Sequence, residues 1–77
     1  MKNELIDLTV RAFRIKDVAV LCSDTTRYHM RADIEDLISK MIFMTEEGSI
    51  DRDFVLRVWD IIRKDLETLD SKAADSK

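Results

Sequence analysis

The chain has one cysteine and one histidine, Cys22 and His29, and these are the first residues to test for nucleophilic chemistry. A thiol becomes reactive near neutral pH when a base such as imidazole takes its proton at hydrogen-bonding distance. Seven residues along one helix is two turns, about 10 Å of rise, which is too far for that contact. Only a loop between them would bring the two groups together. No glycine-rich elbow or row of backbone donors for an oxyanion accompanies them. The spacing predicts a structural thiol at the end of an apolar stripe, and a protein that is not an enzyme. One Cys and one His also cannot complete a structural zinc site or an internal disulfide framework.

A second candidate is metal chemistry. Glu47-Gly48-Ser49-Ile50-Asp51 has the glycine and the later isoleucine of the middle of an EF-hand calcium loop. Such a loop needs oxygen ligands at its outer positions and a bidentate acid at its end. With Gly48 at position 6, Phe43 falls on position 1, Thr45 on 3, Glu47 on 5 and Phe54 on 12. Two essential ligands would be phenyl rings, so the expectation is a glycine-capped helix junction with no metal and no cofactor. Asp33, Glu35 and Asp36 are explained by the macrodipole, which favours acids in the first turn of a helix.

Nucleic-acid contact is the third candidate. Arg27, Tyr28 and Arg31 place two guanidinium groups around an aromatic ring, the combination that grips phosphate and stacks on bases. The net charge of −3 works against it. Residues 1–31 carry +2, from six bases and four acids. Residues 32–77 carry −5, from seven bases and twelve acids. A local basic footprint is compatible with this balance; a phosphate-dominated binder is not.

With no proline and a single glycine, helix is the default along the whole chain. The spacing predicts three helices, over about 3–22, 32–47 and 52–70. Leu5, Leu8, Ala12, Ile15, Ala19 and Cys22 form the apolar stripe of the first. Ile34, Leu37, Ile38, Met41, Ile42 and Met44 form that of the second. Val55, Val58, Trp59, Ile62, Leu66 and Leu69 form that of the third. Asp7–Arg11, Asp36–Lys40, Asp53–Arg57 and Asp60–Lys64 each put an acid four residues ahead of a base, the better helical order. Gly48 is expected to close the second helix in a left-handed cap, and Asp51 to cap the third with an Ile50–Val55 staple. Ser23 to Thr26 reads as a loop or as the cap of an earlier start to the second helix. Val18 to Leu21 leaves a short buried strand open within 13–21. Residues 71–77 read as a disordered, frayed polar tail outside a single domain at 1–70.

The longest apolar run, Val18 to Cys22, is five residues and spans no bilayer, and the first thirty residues lack the pattern of a signal peptide. A cytoplasmic protein is expected, with no membrane partner. A chain of 77 residues builds only a marginal core, which favours completion by a second subunit. Ile6, Val10, Phe13 and Val20 lie almost opposite the first helix's main stripe, interrupted by Asp17, and make the expected self-association or partner face. The fold expectation is an all-α three-helix bundle completed by homodimerisation. The function expected of it is a small regulator, adaptor or inhibitor that binds a protein partner through apolar helix faces. The competing reading is a dimeric DNA-binding regulator of ribbon–helix–helix or helix-turn-helix type. Asp53-Phe54-Val55 resembles the start of the second helix of the ribbon–helix–helix fold, while the apolar run at 18–22 departs from its base-reading strand.

Overall fold

A computed structural model describes the backbone of residues 2–75 and the side chains of residues 2–69. Its helices are α1 (Asn3–Ala19), α2 (Asp24–Phe43) and α3 (Ile50–Asp75), with no strand among the described residues. Short connections turn the chain back at each junction. α1 and α3 therefore run parallel, with α2 antiparallel to both. Cross-helix contacts fix that register: Thr9 meets Met41, Lys16 meets Asp65 and Arg31 meets Glu67. The molecule measures 43 × 19 × 14 Å, and its long dimension matches the ~39 Å expected of 26 helical residues in α3.

The three stripes meet in one core. Leu5, Leu8, Ala12 and Ala19 from α1 are buried with Ile34, Ile38 and Met41 from α2. Val55, Val58, Ile62 and Leu66 from α3 complete it. Ala12 and Ala19 have almost no side chain to hold a neighbour away, and α1 packs most extensively on α2 and least on α3. Thr9 is the one buried polar side chain among the described residues. Its hydroxyl donates to the Leu5 carbonyl at 2.8 Å and lies 3.4 Å from the Met41 sulfur, so no buried polar atom is left unsatisfied. Trp59 is half-buried on the edge of the core.

Helix boundaries differ from the sequence expectation for identifiable reasons. α1 stops at Ala19 rather than 22, and Val20 and Leu21 form a turn; the strand left open over 13–21 does not form. α2 starts eight residues before the expected 32. Ser23 caps it by accepting a bond from the Thr26 amide at 3.4 Å, and Asp24 sits in the first turn. That opening stretch has almost no apolar period, which is why periodicity missed it. Only Met30 there packs against the core. At the other junction α2 ends at Phe43, and Gly48 takes φ +77° within the following loop rather than at the helix end itself. Ser49, not Asp51, caps α3: its hydroxyl accepts from the Arg52 amide at 3.1 Å. This shift of register leaves Ile50 85% exposed, so the Ile50–Val55 staple is absent. α3 continues as backbone to Asp75, and Ser76 and Lys77 of the expected tail lie outside the described residues.

Of the four anticipated acid-to-base pairs only Asp60–Lys64 closes, at 3.0 Å. Arg31–Glu35 and Arg63–Glu67 form instead, with the base first. Each such pair is worth only a few tenths of a kcal/mol, too little for spacing alone to dictate which will form.

Candidate functional site

Cys22 and His29 are not brought together. Cys22 lies half-buried between α1 and α2, where its thiol donates to the Val18 carbonyl at 3.2 Å. His29 is exposed on α2 with its ring edge-on to Tyr28, centroids 5.8 Å apart. Each group has a local partner of its own and the two share no hydrogen bond.

Arg27, Tyr28 and Arg31 do share one face, in the first turns of α2 rather than in a loop. The two arginines are committed elsewhere. Arg27 is 12% exposed and reaches back across the junction. It donates to the carbonyls of Ala19 at 3.4 Å and Cys22 at 3.1 Å, and to Asp24 at 2.9 Å. Arg31 pairs with Glu35 at 3.4 Å and Glu67 at 3.9 Å. Their charge ties helices to one another, which leaves little for phosphate. Only Tyr28 of the three presents a largely exposed side chain.

The loop that resembled a calcium site already holds a cation. Arg52 donates to the Thr45 carbonyl at 2.7 Å, the Ile42 carbonyl at 3.0 Å and the Thr45 hydroxyl at 3.1 Å. These are the orphan acceptors at the end of α2, satisfied by a guanidinium from the start of α3. Arg27 plays the equivalent part between α1 and α2. Neither role was found by periodicity. The available signal was an arginine three or four residues after a serine cap, Ser49 and Ser23 respectively. Among the described residues no group of three or more His, Cys, Asp or Glu side chains is placed to hold a metal ion.

The outer face of α1 is different in kind. Ile6 and Val10 are 44% and 43% exposed, as their position opposite the stripe requires. Phe13 and Val20 are only half-buried but lean onto the core, so the open apolar patch is smaller than the sequence suggested. Lys16 stands beside it, its ammonium 3.0 Å from Asp17, 3.2 Å from Asp65 and 5.7 Å from the Phe13 ring centroid. The hydrogen bond to Asp17 raises the Lys16 pKa above the usual 10.5. Burial opposes that rise and Asp65 adds to it. Asp7, Val10, Arg11 and Arg14 line a single shallow depression on this face. None of those three charged side chains has an ion-pair or hydrogen-bond partner among the described residues.

One charge cluster on α3 is consumed locally. Asp60 is held below its ordinary carboxylate value by hydrogen bonds from Lys64 and then Arg63, and Arg63 is raised in return by Asp60 and Glu67. Two further large side chains stand free at one end of the bundle, Phe43 at 91% exposed and Ile50 on the far side of the same loop. Among the described residues no helix is long and apolar enough to cross a membrane. No family model matches this chain, and no curated protein or solved structure is significantly similar to it.

Proposed function

We propose that this protein works as a small non-enzymatic regulator or adaptor, binding another protein through the outer face of α1. The observation that carries this reading is the coincidence of two features on one helix face. Ile6 and Val10 remain open to water, and Asp7, Arg11 and Arg14 beside them have no charge partner in their own chain. Several cations elsewhere are instead taken up within the fold: Lys16, Arg27, Arg31, Arg63 and Lys64 are all paired. Apolar contact area ringed by available charge is the composition of a recognition surface, where the apolar centre gives affinity and the charged rim selects the partner.

The test is a photo-crosslinking residue placed at position 10 or, as a control, at Lys40 on the exposed side of α2. A discrete covalent adduct formed in cells from position 10 and absent from position 40 supports the reading. No adduct at position 10, or the same adducts from both positions, overturns it.

A further inference from the structure

Within that reading the occupant of the α1 face can be named from its charge pattern: we propose that it is a second copy of this chain, docked with its own α1 antiparallel across a two-fold axis at Val10. Asp7 and Arg14 lie seven residues apart, two turns along one flank of α1, and they bracket Val10 almost symmetrically. They carry opposite charges, and neither has a partner among the described residues. A two-fold axis perpendicular to both helices returns each flank to the same flank of the partner, reversed in direction. It therefore sets Asp7 of one copy against Arg14 of the other, twice over.

The opposite flank follows the same symmetry. Ile6 is brought against the second copy's Phe13, and Phe13 against its Ile6, while the two Val10 side chains meet on the axis. Asn3, Ile6, Val10, Phe13, Asp17 and Val20 recur at alternating three- and four-residue steps, the spacing of a helix–helix seam. A parallel two-fold pair would exchange the flanks and set Asp7 and Arg14 against the partner's Ile6 and Phe13 side, leaving both charges facing apolar groups, so charge selects the antiparallel arrangement. The half-burial of Phe13 and the ~25 Å length of a 17-residue α1 keep the contact small, which places the association in the micromolar range rather than the nanomolar.

Sedimentation equilibrium on the full chain between ~5 and ~300 μM tests the proposal, with far-ultraviolet circular dichroism to establish that each variant is folded. Wild type should approach twice 9.0 kDa at the upper concentrations. Asp7→Arg and Arg14→Asp should each raise the dissociation constant about tenfold or more, since each creates like-charge pairs twice across the axis. The double variant Asp7→Arg/Arg14→Asp restores opposite charges and should return association to near the wild-type level. That rescue cannot come from a merely structural defect. A wild-type monomer at ~300 μM overturns the proposal, as does a dimer indifferent to both single variants. The crosslinking test separates this outcome from failure of the wider reading, because a heterologous adduct at position 10 keeps that reading while the dimer falls.

Discussion

The guanidinium of Arg52 donates to both the carbonyl and the hydroxyl of Thr45, at 2.7 and 3.1 Å, and the same hydroxyl donates onward to the Ile42 carbonyl at 2.8 Å. One side chain from the first turn of α3 thereby closes the last turn of α2. It fixes the angle at which the two helices leave their shared loop. Removing it strands several acceptors at a helix end, where each is only partly reachable by water. Arg52→Ala is expected to lower unfolding free energy by about 1–3 kcal/mol in a urea titration. Arg52→Lys should recover only part of this, because one ammonium cannot reproduce a planar fork spanning three acceptors.

The same contact predicts indifference to calcium. Arg52 already engages the Thr45 hydroxyl, the side-chain oxygen at position 3, and Phe43 and Phe54 occupy the outer ligand positions of the matching loop register. The melting temperature measured with ~5 mM calcium should equal that in chelator; a ligand that bound the folded state alone would raise it.

Gly48 is the single described residue with positive φ, at +77°, and an added Cβ would meet nothing within 4 Å. Its requirement is backbone conformation and not space. Gly48→Val should cost about 1–2 kcal/mol by denaturant titration, and Gly48→Asn distinctly less, since asparagine tolerates the left-handed region. Equal losses for the two would mean that side-chain contacts set the cost.

The core was legible in the sequence because burial imposes a period. Every fully apolar position predicted for α3 from Val55 to Leu66 is buried or half-buried, and Ile34, Ile38 and Met41 hold the centre of α2 as expected. What periodicity could not show was structure held by polar groups. The first eight residues of α2 are helical through the Ser23 cap and the Arg27 ties, not through an apolar face. The candidate surface was half legible for the same reason. Ile6 and Val10 lie where the helical wheel puts them, whereas Phe13 is long enough to turn back onto the core. Which charges on that face lacked partners depended on side-chain geometry, as the unformed Asp7–Arg11 pair illustrates, and four-residue spacing alone suggested the opposite.

Lys16 gives the fold a dependence on alkaline pH whose sign follows from its surroundings. Its ammonium faces Asp17 at 3.0 Å, Asp65 at 3.2 Å and the Phe13 ring, and its side chain is only 15% exposed. Hydrogen bonding to Asp17 is the largest influence, burial opposes it, Asp65 reinforces it, and the folded-state pKa stands above 10.5. Between the unfolded and folded values the native state therefore binds more protons, so stability falls as pH rises. The contribution is fully present below about 10.5 and disappears as pH passes through the raised value. The informative quantity is the difference between wild type and Lys16→Met, which keeps the apolar stem and removes the charge. Chemical denaturation from pH 7 to 11.5 should show wild type ahead by up to ~1 kcal/mol at neutral pH. That lead should hold to about pH 10 and narrow beyond the ordinary lysine value. A lead that stays constant to pH 11.5 would mean that packing of the stem, and not the ion pair bridging α1 to α3, is what Lys16 supplies.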